Sequence, residues 1–114
     1  MADLATIARP YAEALFSSVK PADLGSSMIQ LTELAQLAAM PDVAVLANNP
    51  KISAEDLSKL LSGMVKTKLD DKVSAFLRLI NQNHRLAALP EIAAQFELLK
   101  NQSEGAAEIL ITSA

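Results

Sequence analysis

The chain has 114 residues, of which 51% are hydrophobic but only 4% aromatic, so it can form one helix-rich domain with its own core. It has no cysteine, which excludes disulfides, thiolate zinc sites and a cysteine nucleophile. Its formal net charge of −3 argues against a nucleic-acid partner. No apolar run approaches the roughly 18 residues of a membrane span, so we expect a soluble protein made in the cytoplasm.

The first predicted helix carries apolar residues in steps of three and four from Leu4 to Val19. This pattern keeps its phase across Pro10. Either Thr6 caps a shorter helix with the proline in its first turn, or Asp3 caps a longer helix that the proline bends. We expect the longer helix, because Leu4 already lies on the apolar face.

The sequence pattern in the middle of the chain predicts three more helical segments. Asp23 is the expected N-cap of the second helix, and residues 41–50 read as one or two short turns. Ser53 is the expected N-cap of the fourth helix, with Asp56 in the capping-box position. The residues expected to face the core are Leu24, Met28, Leu31, Leu34, Ala35 and Ala38 on the second helix, and Leu57, Leu60, Leu61, Met64 and Val65 on the fourth.

Two further helices complete the predicted fold. Asp70 caps the fifth, which runs into "NQNHR", and Pro90 suits the first position of the sixth. The expected core residues are Val73, Phe76, Leu77 and Ile80 on the fifth helix, and Leu89, Ile92, Phe96 and Leu99 on the sixth. The predicted fold class is therefore all-α, a six-helix bundle over residues 1–105.

The last nine residues depart from this helical pattern. After Gly105 the sequence "AAEILITSA" alternates in the manner of a strand, and no other segment could pair with it. We therefore expect a short extended C-terminal tail over residues 106–114, poorly ordered and forming the start of a truncated second segment.

The candidates for catalytic chemistry are few. His84 is the only histidine, so a histidine-based relay would depend on it, but its expected place in the last turn of the fifth helix favours a structural role. The carboxylate pairs Glu55/Asp56 and Asp70/Asp71 begin helices, where negative charge complements the helix dipole. The three glycines are isolated and form no phosphate-binding loop. We expect no enzyme, no metal and no cofactor. A helical enzyme or small-ligand carrier that uses His84 and nearby carboxylates is a rival hypothesis.

The first and fifth helices carry more apolar surface than one-sided burial requires. On a helical wheel the apolar arc of the first covers roughly 200°, against roughly 140° for the fourth, and the fifth is similar to the first. This surplus either faces a partner or marks the most central helices. The second helix also has surplus apolar residues at Ile29, Leu37 and Met40. A bundle that associates with itself, unrelated to any larger machine, is therefore an alternative.

Three stretches resemble the N-terminal domain of the delta subunit of F-type ATP synthase, whose mitochondrial counterpart is the oligomycin-sensitivity-conferring protein. They are "ARPYAEALF" at 8–16, "NNPKISAEDLSKLL" at 48–61 and "LINQNHRLAALPEIAAQF" at 79–96. The resemblance extends from about residue 4 to 114. It implies a six-helix domain followed by a C-terminal domain that is missing here, with a compact first linker as a departure from the family pattern.

The resemblance also implies a function. The implied function is a non-catalytic stator role: the subunit ties the catalytic head to the peripheral stalk during proton-driven ATP synthesis. The implied binding site is a groove between the first and fifth helices that receives the amphipathic N-terminal helix of an alpha subunit. Carried onto this sequence, the residues that bind this partner are Ile7, Tyr11, Ala14, Ala75, Phe76, Leu79 and Asn83.

Further partners follow from the same resemblance. The peripheral-stalk b subunit is expected to bind through the missing C-terminal domain. The complex is expected at the cytoplasmic face of a bacterial inner membrane, with no direct membrane insertion by this chain, which is expected to be a monomer in isolation.

Each groove residue has a proposed role and a simpler alternative. The small residues Ala8, Ala12 and Ala14 would let a visiting helix lie close, while Tyr11 would supply a rigid apolar ring with a polar tip. Asn83 could hydrogen-bond a partner at the rim or merely help to end its helix. Tyr11 and Phe76 could equally be ordinary core residues.

Overall fold

A computed structural model describes residues 4–112 of the chain, with side chains described as far as residue 103. This part of the chain forms six α-helices and no strand, which confirms the all-α prediction. The helices are α1 (Leu4–Ser18), α2 (Leu24–Ala38), α3 (Pro41–Ala47), α4 (Ala54–Met64), α5 (Asp71–Gln82) and α6 (Leu89–Thr112). Short 3-10 turns at Pro21–Asp23 and Leu86–Ala88 lead into α2 and α6.

Helix α1 is the longer of the two alternatives, because it begins at Leu4 and contains Pro10. The proline is exposed, so its ring lies away from the core. The shorter helix capped by Thr6 is therefore wrong, and Asp3, the other candidate cap, lies outside the described residues.

The starts of α4 and α5 confirm two of the three predicted N-caps. The hydroxyl of Ser53 accepts a hydrogen bond of 3.0 Å from the backbone N–H of Asp56, and the Asp70 carboxylate accepts one of 2.8 Å from that of Val73. Asp23 precedes α2 but makes no side-chain cap hydrogen bond. Its backbone, at φ −101° and ψ −1°, continues from the 3-10 turn, whereas capping side chains usually project from extended backbone.

The end of α5 is a Schellman motif that includes the only histidine. The N–H of Arg85 donates to the carbonyl of Ile80 at 2.9 Å, and the N–H of His84 donates to that of Asn81 at 3.1 Å. His84 has a φ of 56°, the left-handed conformation that this motif requires. His84 therefore lies just beyond α5, not in its last turn as the sequence suggested.

The core lies where α6 packs against α1 and α2, and α4 packs against α5. Phe96 of α6 is completely buried and meets Phe16 of α1 edge to face, with ring centroids 6.0 Å apart. The core residues expected on α2, α5 and α6 are buried, with two exceptions. Met28 and Leu99 are only partly buried and pack against the edge of the core.

The core face of α4 was predicted too wide. Leu57 and Leu61 are buried, but Leu60 is 48% exposed and Met64 is 46% exposed. Ser58 is buried in their place, because its hydroxyl accepts a hydrogen bond of 2.8 Å from the Asn81 side chain of α5. Two polar side chains thus pair at the α4–α5 contact where the sequence pattern predicted only apolar packing.

Helix α6 continues through Gly105 as far as Thr112. The extended tail expected from residue 106 is therefore wrong over residues 106–112, and residues 113 and 114 lie outside the described part. A helix pairs its own backbone donors and acceptors, whereas a single strand would have left them unpaired. The division of the chain into domains at residue 105 stays a prediction. Among the described helices, none has the length and apolar character to cross a bilayer.

Candidate functional site

The seven residues predicted to bind a partner lie on two helices that contact each other, α1 and α5. Those on α1 are spaced by four and three residues, which puts them on one face of the helix. Asn83 is the C-cap residue of α5, directly after its last residue and four residues after Leu79. We call the set the α1–α5 surface; it consists of Ile7, Tyr11, Ala14, Ala75, Phe76, Leu79 and Asn83.

Tyr11 joins the two helices of this surface, because it contacts Phe76 of α5 and the C-cap residue Asn83. The side-chain amide of Asn83 donates a hydrogen bond of 3.0 Å to the Tyr11 hydroxyl. The rings of Tyr11 and Phe76 meet edge to face, with centroids 6.4 Å apart and an interplanar angle of 75°. This arrangement is favourable for the quadrupoles of two aromatic rings. The structure thus brings Tyr11, Phe76 and Asn83 together as a unit.

The side chains around Tyr11 differ in their exposure. Leu79 is 42% exposed, Ala14 and Ala75 are exposed, and Tyr11 and Ile7 are half-buried. Phe76 is only 6% exposed, so it belongs to the core and supports the tyrosine ring from within. The result is an accessible apolar surface with the polar groups of Tyr11 and Asn83 at one end.

Two of the three alanines assigned to a visiting helix serve the bundle itself. Ala8 and Ala12 are completely buried in the core, so the expectation that they let a partner approach is wrong. Their small side chains instead let α1 pack closely on its own neighbours, above all on α6. Ala14 alone of the three remains accessible.

The charged pair on α1 lies on another side of the helix. Arg9 and Glu13 form an exposed ion pair of 3.4 Å, and both line a cleft shared with Glu91 and Gln95 of α6. An exposed pair of this kind contributes little to stability. The α1–α5 surface therefore has an apolar character with hydrogen-bonding groups, and the charge of α1 faces the α6 side.

The environment of His84 bears on the rival hypothesis of an enzyme. It lines a cavity of about 90 Å³ together with Asn48, Asn81 and several alanines. No carboxylate is among the lining residues, and the described residues contain no group of three histidine, aspartate or glutamate side chains that could hold a metal ion. The cavity thus offers His84 no acid–base partner.

Exposed apolar residues also occur away from α1 and α5. Of the surplus apolar residues expected on the second helix, Ile29 on α2 is exposed and Leu37 is half-buried, while Met40 lies beyond the end of α2, at the N-cap of α3, and is exposed. Val45 on α3 and Leu98 on α6 are exposed as well, and the sequence pattern did not single them out. Exposure alone therefore does not select the α1–α5 surface; the fixed aromatic and amide groups distinguish it.

The fold and this surface define a small all-α bundle with an accessible apolar face between two of its helices. Residues 7–114 match the family model of the ATP synthase delta (OSCP) subunit. The chain therefore belongs to this family, as the sequence resemblance predicted.

Three relatives illustrate the similarity. The chain is 76% identical to ATP synthase subunit delta of Polynucleobacter asymbioticus and 75% identical to that of Polynucleobacter necessarius subsp. necessarius, both over 114 residues. It is 50% identical to ATP synthase subunit delta of Paraburkholderia phytofirmans over 116 residues. Each comparison covers the whole of this chain, which spans only 64–65% of the length of these relatives.

Proposed function

We propose that this domain belongs to a stator component of F-type ATP synthase and binds the amphipathic N-terminal helix of an alpha subunit on its α1–α5 surface. In this role it is not catalytic: it links the catalytic head to the peripheral stalk during proton-driven ATP synthesis. Family membership and the names of the relatives support the wider role. The observation that carries the binding site is the Tyr11 ring, held by Asn83 and Phe76 beside the exposed Leu79.

The chemistry of this surface suits an amphipathic helix. Apolar side chains of such a helix, spaced by three and four residues, would cover Leu79, Ala14 and Ala75. Each Å² of apolar surface removed from water contributes about 25 cal/mol. The small alanines on both sides of the surface allow the backbone of the partner to lie close.

The polar end of the surface gives the partner a direction. Tyr11 accepts a hydrogen bond from Asn83, which leaves its own O–H proton to donate. We expect the bound helix to carry an acceptor side chain at this end, so that the hydroxyl remains paired when water is excluded.

The same proposal includes a second partner and a location. We infer that the peripheral-stalk b subunit binds through a C-terminal domain, outside the 64% of the relatives' length that this chain spans. The assembly lies at the cytoplasmic face of a bacterial inner membrane, and this chain needs no cofactor for its part in it.

A peptide titration tests the proposal directly. A synthetic peptide with the N-terminal sequence of the alpha subunit from the same organism is added to the isotopically labelled chain. We expect saturable shifts of backbone amide resonances on α1 and α5. Absence of binding at micromolar peptide, or shifts confined to α3 and α4, would contradict the proposed site.

A charge placed on the surface tests it further. Leu79→Asp should abolish peptide binding, because the carboxylate would have to be desolvated against the apolar face of the peptide. Leu98→Asp is the matched control, since Leu98 is exposed on α6, away from the surface. Circular dichroism should find both variants as helical as the wild type. A loss of helicity confined to Leu79→Asp would mean that this leucine serves the fold.

Self-association of the same surface is the alternative to a partner helix. Sedimentation velocity over a wide range of concentrations should give a monomer. A dimer that Leu79→Asp dissociates would favour the alternative.

A further inference from the structure

The segment between α4 and α5, residues 65–70, has no regular secondary structure and is held by side chains of α2. The Glu33 carboxylate accepts hydrogen bonds from the backbone N–H groups of Lys66 and Thr67, at 3.2 and 3.1 Å. Both of these bonds go to Oε2 of Glu33. The second carboxylate oxygen, Oε1, accepts a hydrogen bond of 3.0 Å from the Thr67 hydroxyl. One side chain of α2 thus makes three hydrogen bonds to this segment.

Gln30 holds the end of the same segment. Its side-chain carbonyl accepts a hydrogen bond of 2.9 Å from the backbone N–H of Asp70, and its amide group lies 3.4 Å from the carboxylate of that residue. Asp70 is in turn the N-cap of α5. Gln30 is 2% exposed, so it is a buried polar group whose partners are fixed.

These contacts fix where α5 begins. Gln30 and Glu33 are three residues apart and project from one side of α2, so they hold the segment at two points immediately before the helix. Phe76, Leu79 and Asn83 follow Asp70 on α5 or at its C-cap. Because a helix rises about 1.5 Å per residue as a stiff rod, a displacement of its start is transmitted along its length.

We propose that Gln30 and Glu33 are positioning residues for the partner-binding surface. Their hydrogen bonds to the 65–70 segment involve none of the residues of that surface. They hold α5 in the register at which Asn83 reaches Tyr11. This inference rests on the proposed function for its effect on binding. The periodicity of α2 does not predict this role, because the partners of both side chains in the 65–70 segment lie more than 30 residues further along the chain.

The test compares Gln30→Ala and Glu33→Ala with Gln36→Ala, an exposed glutamine on the same helix. Two quantities are measured at a temperature at which every variant is fully folded. The first is the affinity for the alpha-subunit peptide. The second is the set of nuclear Overhauser effects between the rings of Tyr11 and Phe76 in the free chain. Tyr11 is the only tyrosine, and the Phe76 ring is distinguished from the other two phenylalanines by sequential assignment.

We expect each of the two variants to weaken peptide binding by about tenfold, the effect of losing hydrogen bonds that order one wall of a binding surface. The ring–ring signals should weaken in the free chain, and Gln36→Ala should change neither quantity. Glu33→Gln should recover part of the affinity, because its amide oxygen still accepts from Thr67. A residue that served stability alone would leave the affinity of the folded chain unchanged.

The two proposals fail in different ways. If the wild type does not bind the peptide, the proposed function fails, and the ring–ring signals still decide whether Gln30 and Glu33 position α5. If the wild type binds and both alanine variants bind equally well with unchanged ring–ring signals, the positioning role is wrong. Should Gln30→Ala fail to fold, Glu33→Ala provides the same test, since Glu33 is only half-buried.

Discussion

The side-chain amide of Asn83 lies 3.0 Å from the hydroxyl of Tyr11, although 72 positions separate the two residues in the sequence. Asn83 ends α5, and Tyr11 lies in the middle of α1. The bond therefore ties the C-terminal end of one helix to the body of another. Because Phe76 supports the same ring 6.4 Å away, the tyrosine is fixed without being fully buried.

Removing the hydroxyl separates this bond from the ring contact. We expect Tyr11→Phe to cost about 0.5 kcal/mol of unfolding free energy, since an accessible neutral hydrogen bond contributes little net stability. Tyr11→Ala should cost more, about 2 kcal/mol, because the half-buried ring and its contact with Phe76 are lost. Urea denaturation of the two variants measures both values.

Equal losses for the two Tyr11 variants would contradict this assignment. Such a result would mean that the hydrogen bond with Asn83, and not the ring, holds α1 and α5 together. Asn83→Ala provides an independent check, because it should cost no more than Tyr11→Phe.

The N-cap of α4 offers a second prediction. Ser53→Ala should lower the unfolding free energy by about 1 kcal/mol, because the N–H of Asp56 loses its acceptor at the helix start. Ser17→Ala is a matched control near the end of α1, where alanine is the better helix former and no loss is expected. If urea denaturation shows no greater loss of unfolding free energy for Ser53→Ala than for Ser17→Ala, the cap is dispensable.

Local chemistry explains why so much of the fold could be predicted from the sequence. The caps Ser53 and Asp70 act on backbone groups three residues away, so they can be recognised from short motifs. The apolar face of α5 has the helical period and is buried as expected. The longer first helix was also predicted correctly, because the apolar pattern continues in phase on both sides of Pro10; that the proline bends it stays a prediction.

Some predictions failed on local backbone geometry, as at Asp23 and in residues 106–112, but others failed because of contacts between distant parts of the chain. Ser58 is buried because Asn81, 23 residues away, pairs with it, and this pairing has no period. Ala8 and Ala12 have the small size that suits a visiting helix, but the packing of the bundle itself buries both completely. The candidate site shows the same division. The faces of its helices could be predicted from the sequence, whereas the hydrogen bond between Tyr11 and Asn83 could be found only from the three-dimensional structure.

Acid should weaken the contact between α2 and the segment before α5. The hydrogen bond from the Thr67 backbone, with those from its hydroxyl and from Lys66, outweighs desolvation and lowers the pKa of Glu33 below its ordinary value of 4.5. Since the pKa is lower in the folded state, the stabilisation is complete above pH 4.5 and is lost as the pH falls through the folded value.

Glu33→Gln therefore should lower stability at neutral pH and reduce the further loss of stability on acidification. Urea denaturation at pH 7 and at several lower values measures both effects, with Glu97→Gln as the control, an exposed carboxylate on α6. Parallel stability curves for the wild type and Glu33→Gln would mean that the carboxylate charge does not contribute to this contact.

The left-handed backbone of His84 leads to a prediction that also bears on function. A residue other than glycine at φ 56° carries a steric cost of about 1 kcal/mol, which glycine avoids. The greater freedom of glycine in the unfolded chain offsets part of that gain. We expect His84→Gly to raise the unfolding free energy by about 0.5 kcal/mol, whereas Arg85→Gly, at φ −115°, should lower it. If the imidazole serves only to end α5, peptide binding should be unchanged in His84→Gly. A loss of both stability and binding in this variant would mean that the side chain makes contacts in its cavity on which the α1–α5 surface depends.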